Sequence, residues 1–193
     1  SAKLVADLIT SAGADRVITM DLHCAQIQGF FNIPVDHLVG MPLLSKYYGE
    51  KFGYGNDDIV AVSPDLGSVT RTRAFAEQLD VPIAIVDKRR PKPNVSEIMN
   101  IIGDFKDKTV ILYDDMIDTA GTITNAANAI IDRGAKKVYA CCTHGVLSGA
   151  AIERIQNSKI EELLVLDTVP LTADKAIPKI KQKSVAKVFA DAI

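Results

Sequence analysis

The sequence has few cysteines, almost no net charge and no long apolar runs. Its three cysteines, Cys24, Cys141 and Cys142, are odd in number and lack metal-site spacing. This excludes a disulfide framework and indicates small buried residues in a cytoplasmic protein. A formal net charge of −2 excludes the basic field of a nucleic-acid-binding protein. Because no apolar run approaches the roughly 20 residues that span a bilayer, we expect neither nucleic acid nor a membrane as a partner.

Strand and helix patterns alternate along the chain, whose apolar content of 48% suits one domain, or one domain plus pieces of another. Strands are predicted at 16–21, 59–63, 82–87, 109–113, 137–142, 162–166 and 179–183. Helices are predicted at 2–12, 41–52, 69–78, 121–133, 148–156 and from 185 onward. Residues 95–102 fit a strand or a helix, and we favour a strand. The alternation predicts an α/β protein with a parallel sheet covered on both faces, and ligands beyond the carboxyl ends of its strands.

The most informative segment is 109–122. An apolar strand ends in two adjacent carboxylates, Asp114 and Asp115, and a turn of small and hydroxyl residues, 118–122, opens the next helix. Loop N–H groups and the helix dipole can hold a phosphate, and the carboxylates can accept hydrogen bonds from two vicinal ribose hydroxyls. The alternative, to which the local chemistry gives equal weight, is that Asp118 or Thr119 caps a helix and the acidic pair is a solvated turn.

Several segments together resemble a known family. Asp114-Asp-Met-Ile-Asp-Thr-Ala-Gly-Thr122 resembles the phosphoribosyl-pyrophosphate loop of the type I phosphoribosyltransferase fold. The other segments narrow the resemblance to the ribose-phosphate pyrophosphokinases, and it runs nearly from end to end. They are Ile18-Thr-Met-Asp-Leu-His23, Gln26-Ile-Gln-Gly-Phe-Phe-Asn-Ile-Pro-Val-Asp36, Ser63-Pro-Asp-Leu-Gly67, Val86-Asp-Lys-Arg-Arg-Pro-Lys-Pro-Asn94 and Cys142-Thr-His-Gly-Val-Leu-Ser-Gly149.

The resemblance implies a type I phosphoribosyltransferase-like sheet and a diphosphoryl transfer reaction. The β,γ-diphosphate of ATP would pass to the 1-hydroxyl of ribose 5-phosphate, giving 5-phosphoribosyl 1-diphosphate and AMP for nucleotide biosynthesis. Mg²⁺ is the implied cofactor. ATP and ribose 5-phosphate are the implied substrates, and the implied assembly is a homo-oligomer of dimers within a hexamer.

The resemblance also implies which residues bind the acceptor, ribose 5-phosphate, and which act in catalysis. Lys88 would stabilise the transition state, and Arg90 would contact the phosphates of substrate and product. Without the resemblance, the run of Lys88, Arg89 and Arg90 is more simply a solvated basic loop. The implied ribose-5-phosphate-binding residues are Arg90, Asp114, Asp115, Asp118, Thr119, Ala120, Gly121 and Thr122.

A second anion loop and a metal site are implied as well. The pyrophosphate loop would comprise Asp65, Leu66, Gly67 and Ser68. The family usually has two glycines there, and a serine is less free to adopt positive φ. The implied metal contacts are His23 and Asp65, with weaker contributions from Asp21 and Asp36.

Three further residues bear on the metal site or the crevice. Strand alternation places Asp21 and His23 on one side, although histidine is an unusual magnesium ligand and could equally be a core residue. Asn32 stands where the family commonly has aspartate, which removes one charge near the metal. For His37 and His144 the sequence indicates no role.

The same resemblance predicts the domain organisation. Residues 1–38 would be the tail of a first phosphoribosyltransferase-like domain, residues 39–180 a second such domain, and residues 181–193 a helix returning toward the first. We therefore expect the chain to be part of a longer polypeptide, since the apolar face of helix 2–12 has no evident partner. Alone, it should bind ribose 5-phosphate weakly and have little synthetase activity.

Two other functional classes stay open at this point. A base-transferring phosphoribosyltransferase shares the sugar-phosphate loop, but the basic segment from Lys88 and the segment around His23 argue against it. A non-catalytic subunit related to the synthetases is slightly favoured by Asn32 and Ser68. The retained Lys88 and Arg90 and the complete loop 114–122 weigh more strongly against that reading.

Overall fold

A seven-stranded sheet and a separate two-stranded sheet form the framework of the protein. The computed structural model describes residues 1–89 and 98–193, and for residues 88, 89, 98 and 99 it describes only the backbone. The helices are α1 (Ala2–Ser11), α2 (Met41–Phe52), α3 (Val69–Leu79), α4 (Gly121–Asp132), α5 (Ala151–Asn157) and α6 (Ala186–Ala192), with 3₁₀ turns at Ala25–Phe30 and Ala173–Lys175. The strands are β1 (Val17–Met20), β2 (Val35–Leu38), β3 (Ile59–Ser63), β4 (Ile83–Arg89), β5 (Ile98–Ile102), β6 (Thr109–Ile117), β7 (Lys137–Gly145), β8 (Ile160–Leu166) and β9 (Ile180–Lys183).

The large sheet has the strand order β5-β4-β3-β6-β7-β8-β9. All neighbouring pairs run parallel except β4 and β5, which form an antiparallel ribbon at one edge. The predicted α/β fold with a parallel sheet is therefore confirmed, apart from this edge. Parallel order brings the carboxyl ends of β3, β6 and β7 to the same side, where the predicted binding segments follow them.

Two hydrophobic cores lie on opposite faces of this sheet. Successive residues of β3 alternate between them: Val60 and Val62 join the core under α4 and α5, whereas Ile59 and Ala61 join the core under α2 and α3. Because both faces are covered, every residue of β3 is buried. None of the helices in the described ranges is long and apolar enough to cross a membrane.

The cysteines follow the prediction in part. Cys141 and Cys142 are adjacent in β7 and fully buried, one in each core, and burial raises the pKa of both thiols. Cys24 is exposed, contrary to the expectation that all three would be buried. Its position just before the 3₁₀ turn Ala25–Phe30 explains the difference, because no residue of that turn is buried.

The small sheet pairs β1 with β2 in parallel, from Val17 opposite Val35 to Met20 opposite Leu38. Strand β2 was not predicted. Helix α6 lies against β2. The exposed large apolar side chains of α1 share one face, as predicted, and are Leu4, Val5, Leu8 and Ile9.

Two histidines without a predicted role hold the small sheet and the loop after β1. His144 Nε2, at the end of β7, lies 3.1 Å from the carbonyl oxygen of Met20 and 3.0 Å from that of Asp21. Carbonyls only accept hydrogen bonds, so this nitrogen donates. His37 Nε2 accepts a 3.0 Å hydrogen bond from the Leu22 N–H. Both histidines therefore fix the chain where β1 ends beside the large sheet.

Candidate functional site

A polar crevice lies beyond the carboxyl ends of β3 and β6. It consists of two adjoining cavities of about 190 Å³ and about 510 Å³ that share Asp65, Asp114 and Met116. The remaining lining residues of the smaller cavity are Ile117, Asp118, Thr119, Ala120, Gly121, Thr122 and Ile123. Those of the larger cavity are His23, Gly67, Ser68, Arg71 and Asp115. The structure thus brings the loop after β6, the loop after β3 and the segment after β1 to one place.

The carboxylate pair lies inside strand β6 and does not follow it. The strand continues to Ile117 because its pairing with β7 continues, with Asp114 opposite Cys142 and Met116 opposite His144. Strand alternation then turns neighbouring side chains to opposite faces. Asp114 is half-buried and Asp115 is only 2% exposed. The pair is therefore not a solvated turn, which removes one part of the alternative reading.

Asp115 is the centre of an ion cluster that joins three segments. Its Oδ2 lies 2.8 Å from His23 Nδ1 and 2.8 Å from Arg71 Nη1 on α3. Burial alone would raise the pKa of Asp115, but hydrogen bonds from His23 and Asp114 and the charge of Arg71 outweigh it and lower the pKa. The carboxylate is thus ionised and accepts a hydrogen bond from the Nδ1–H of His23. Nε2 is then the ring nitrogen of His23 that Asp115 does not engage.

Asp114 has the opposite character. Its Oδ1 accepts hydrogen bonds from the Ser68 hydroxyl at 3.0 Å and from the Asp115 N–H at 2.9 Å. The pKa of Asp114 is raised to about 7, chiefly by burial and secondly by the interaction with the Asp115 side chain. Two adjacent carboxyl groups whose pKa values are pushed apart are common in ligand sites, because one can donate a proton while the other holds a cation.

We expect Asp114→Asn to stabilise the fold at neutral pH. The folded-state pKa of Asp114 lies above its value in the unfolded chain, so the stability it contributes is complete below about pH 4 and is lost as the pH rises through about 7. Asparagine cannot ionise. The advantage of the variant over the parent in the free energy of unfolding should therefore be larger at pH 8 than at pH 4.5, by on the order of 2 kcal/mol.

Urea unfolding in chelator-containing buffer at the two pH values measures this difference. The matched control is Asp132→Asn, since Asp132 is exposed in an ion pair with Lys159. Its effect should stay within about 0.5 kcal/mol at both pH values. If Asp114→Asn gave the same change in stability at pH 4.5 and pH 8, burial of an ionisable Asp114 would be the wrong account.

The loop 118–122 presents free backbone donors at the start of α4. No side chain within the described ranges caps this helix, and Ala120 occupies the N-cap position with a left-handed backbone, φ +61°. The Asp118 carboxylate instead accepts a hydrogen bond from the Ser148 hydroxyl. The other part of the alternative, a helix cap by Asp118 or Thr119, is therefore wrong. An uncapped helix N-terminus leaves its first N–H groups available to an anion.

The loop after β3 is built differently from a glycine-rich anion loop. The N–H of Ser68 donates to Asp65 Oδ1 at 2.9 Å, and the Ser63 hydroxyl donates to the Asp65 carbonyl at 2.6 Å. Ser68 has φ −92°, so the serine creates no strain there. Leu66 is 61% exposed and does not line either cavity. Within this loop Asp65, Gly67 and Ser68 face the crevice.

Three of the four predicted metal contacts, His23, Asp65 and Asp21, line two adjoining cavities. His23 and Asp65 both line the larger cavity. Asp21 has left-handed backbone, φ +43°, and its Oδ2 accepts from the Gly40 N–H and the Thr143 hydroxyl. Strand β1 ends at Met20, so strand alternation does not extend to Asp21. Asp21 and His23 nevertheless line one common cavity of about 410 Å³, as the prediction that they share a side requires.

Asp36, the fourth predicted metal contact, forms an exposed ion pair with Arg16. In the described part of the chain, no three His, Cys, Asp or Glu side chains come together as a metal cage. His23 and Asp65 fit a cation that is held largely by a ligand's phosphates, which is the usual situation of Mg²⁺.

The two predicted catalytic residues are only partly described. Lys88 lies in β4, with its backbone opposite Met99 of β5. Arg90 lies outside the described residues. Arg71 was missed by sequence reasoning, although the sequence carries a signal: it follows the anion loop by one turn of a helix. Arg73 has the same signal, and only the structure shows that Arg71 is the one that reaches Asp115.

Comparisons with known proteins agree with this geometry. The family model described as "Phosphoribosyl synthetase-associated domain" matches residues 88–193. The chain is 70% identical over its whole length to a ribose-phosphate pyrophosphokinase of Clostridium perfringens and 66% identical to one of Clostridium tetani. It spans 60% of the length of each of these relatives.

A solved structure of a protein of similar name also resembles this chain. The crystal structure of phosphoribosylpyrophosphate synthetase from Mycobacterium smegmatis superimposes with a TM-score of 0.90 at 44% identity, covering 99% of this chain and 61% of that one. The resemblance and the fold class predicted from the motifs are thereby confirmed. The chain therefore belongs to the phosphoribosyl synthetase-associated domain family.

Proposed function

We propose that this chain carries the acceptor side of a ribose-phosphate diphosphokinase, which transfers the β,γ-diphosphate of ATP to the 1-hydroxyl of ribose 5-phosphate. The products are 5-phosphoribosyl 1-diphosphate and AMP. One observation carries the proposal: the uncapped start of α4 and the carboxyl group of Asp114 line the same small cavity, which opens into a larger one containing Asp65 and His23. A phosphate ester and adjacent hydroxyls match this arrangement.

The acceptor would bind along loop 118–122. Its 5-phosphate would receive hydrogen bonds from the free N–H groups of the loop and from the hydroxyls of Thr119 and Thr122. Asp114 lines both cavities and would accept hydrogen bonds from the ribose hydroxyls. Asp115 already accepts from the His23 ring and from the Arg71 guanidinium, so we assign it to holding His23 and Arg71 in place.

The donor diphosphate would occupy the larger cavity. Mg²⁺, when bound there, would neutralise the charge of the diphosphate oxygens. Asp65 would contact it through a carboxylate oxygen and His23 through Nε2, since Nδ1 is directed at Asp115. A metal-binding histidine commonly donates its other ring N–H to a carboxylate in this way.

Lys88 and Arg90 would offset negative charge as the bond to the α-phosphate of ATP breaks. Positioning and electrostatic stabilisation account for such a transfer without a covalent enzyme intermediate. In this proposal Asp114 and loop 118–122 orient the attacking hydroxyl, and the basic residues act on the diphosphoryl group.

We also propose that residues 1–38 belong to a first domain, with residues 39–180 forming the second and residues 181–193 returning toward the first. The separate sheet of β1 and β2, the contact of α6 with β2 and the exposed apolar side of α1 support this division. A cytoplasmic homo-oligomer of dimers within a hexamer is part of the same proposal. Light scattering of the purified protein measures the assembly.

An assay of product identity tests the activity. The chain is placed in a chimera in which residues 1–193 replace the matching segment of the Clostridium perfringens relative, which is 70% identical. With ATP, ribose 5-phosphate and Mg²⁺, we expect AMP and 5-phosphoribosyl 1-diphosphate to appear in equal amounts by ³¹P NMR. Release of pyrophosphate from added 5-phosphoribosyl 1-diphosphate and a nucleobase, without AMP formation, would instead identify a base-transferring enzyme. A folded chimera without turnover would favour a non-catalytic subunit.

A further inference from the structure

The centre of the loop 118–122 has a backbone conformation that alanine disfavours. Ala120 is buried, lines the smaller cavity and has φ +61° and ψ 3°. In this left-handed region the Cβ of an L-residue crowds the following carbonyl, so a non-glycine residue stays there only when surrounding contacts fix it. The contacts that fix Ala120 should therefore be visible next to it.

The three carbonyls that precede Ala120 in the chain all accept hydrogen bonds from the segment 147–154. The Leu147 N–H donates to the carbonyl of Ile117 at 3.1 Å, and the Ser148 N–H donates to that of Asp118 at 3.0 Å. The third carbonyl, of Thr119, accepts from Arg154 Nη1 on α5 at 2.7 Å. Arg154 is thus the only side chain, among the described residues, that donates to this series of carbonyls.

The orientation of the next N–H follows from peptide geometry. In a planar trans peptide the N–H points opposite to the C=O. Because the Thr119 carbonyl is directed at Arg154, the Ala120 N–H is directed away from α5. Within the described ranges this N–H donates to no protein acceptor, and Ala120 lines the cavity. If the peptide turned over, the carbonyl oxygen would face the cavity and would repel a phosphate.

We propose that Arg154 is a positioning residue for phosphate binding: it holds the Thr119 carbonyl outward and thereby keeps the Ala120 N–H turned into the crevice. This inference rests on the proposed function, since the ligand is the 5-phosphate of ribose 5-phosphate. The guanidinium lies beside the first residue of α4, where a Cβ at Gly121 would be in ordinary contact with Arg154 Nη1, at 3.7 Å. Arg154 itself is not among the residues that line the cavity.

Titration of the ¹⁵N-labelled 193-residue protein with ribose 5-phosphate tests the proposal. Arg154→Ala should weaken binding about tenfold, and Arg154→Lys should recover most of the loss because lysine also donates to a carbonyl. In the parent protein the Ala120 amide proton should shift downfield on binding, and in Arg154→Ala this shift should disappear. The control is Glu153→Ala, an exposed neighbour on the same helix, which should bind like the parent.

A double-mutant cycle separates positioning from a general loss of structure. Glycine tolerates positive φ, so Ala120→Gly removes the steric strain that favours turning the peptide over. In that background Arg154→Ala should weaken binding less than threefold. Equal effects of Arg154→Ala with alanine or glycine at position 120 would overturn the proposal.

A measurement without ligand distinguishes this inference from the proposed function. Residual dipolar couplings report the direction of the Ala120 N–H bond, which should change in Arg154→Ala and be retained in Arg154→Lys. If the parent protein failed to bind ribose 5-phosphate but showed these couplings, the proposed function would be wrong and the role of Arg154 in the loop would stand. Unchanged couplings in Arg154→Ala would overturn the inference even if the parent bound the sugar phosphate.

Discussion

Replacement of Lys88 by alanine is expected to lower kcat for diphosphoryl transfer by about 10²- to 10³-fold, with the KM for ribose 5-phosphate changed less than about threefold. The reason is that a cation that meets charge developing only in the transition state contributes to kcat and not to substrate binding. The position of Lys88 supports this role. Pairing of β4 with β3 ends at Ile85, and Lys88 lies three residues further, on the ribbon with β5.

That extension places the Lys88 backbone about 10 Å along β4 from the last pair with β3, at roughly 3.3 Å per residue. The crevice begins at the same edge, because Asp65 follows β3 and lines both cavities. A residue carried past the carboxyl edge on a two-stranded ribbon can approach a diphosphate in the larger cavity. A lysine within the sheet itself could not do so.

The Lys88 experiment uses the chimera and a matched lysine. Lys106 is exposed just before β6, at the opposite end of the strands, and Lys106→Ala should leave kcat within about twofold. Lys88→Arg retains the charge with a different geometry and should recover only part of the rate. Turnover of Lys88→Ala within a factor of about 10, which is roughly 1.4 kcal/mol of barrier, would contradict the catalytic assignment.

The secondary structure was predictable where apolar periodicity is regular. The bounds of α2 and β3 agree with prediction, because Pro42 marks the start of the helix and a continuous apolar run marks the buried strand. Strand β2 was missed, since four residues containing Asp36 and His37 carry no strand pattern of their own. They pair because β1 offers an open edge, and that depends on tertiary structure.

The site was predictable in its location but not in its internal bonding. The sequence placed the segments around Asp65, Asp114 and Asp118 at strand ends, and the structure brings these three together. It did not indicate that β6 continues through Asp115. A carboxylate inside a buried strand is tolerable only when a partner neutralises it, and that partner, Arg71, lies 44 positions earlier on α3. Partners so distant leave no periodic signal in a single sequence.

Removal of the Asp115 carboxylate is expected to destabilise the fold strongly. Asp115→Ala should lower the free energy of unfolding by about 3 kcal/mol at pH 7.5, because it leaves the Arg71 guanidinium partly buried without its anionic partner. Arg71 Nε is already buried with no hydrogen-bond partner among the described residues. The figure lies at the lower end of what a fully buried pair would give, since the side chains of Arg71 and His23 are 33% and 62% exposed and solvent screens them.

The pH dependence of this effect has a defined sign. The folded-state pKa of Asp115 is lowered, so its contribution is present above about pH 4 and is lost as the pH falls through the folded-state value. The difference between the parent and Asp115→Ala should therefore narrow on acidification below pH 4. Asp114→Asn should show the reverse trend, with its difference growing as the pH rises toward 8.

A double-mutant cycle between Asp115 and Arg71 measures the ion pair directly. Arg71→Met keeps much of the volume of the side chain and removes the cation, and alone it should also destabilise the fold because Asp115 then retains only His23. The combined variant Asp115→Ala with Arg71→Met should lose about 1–2 kcal/mol less than the sum of the single changes. The exposed pair of Arg16 and Asp36 is the matched control, and Asp36→Ala should change the free energy of unfolding far less than Asp115→Ala does. Additive losses at Asp115 and Arg71 would show that the ion pair between them does not itself stabilise the fold. A coupling of the expected size would show that the pair of Asp115 and Arg71 holds the sheet and α3 together before any ligand binds.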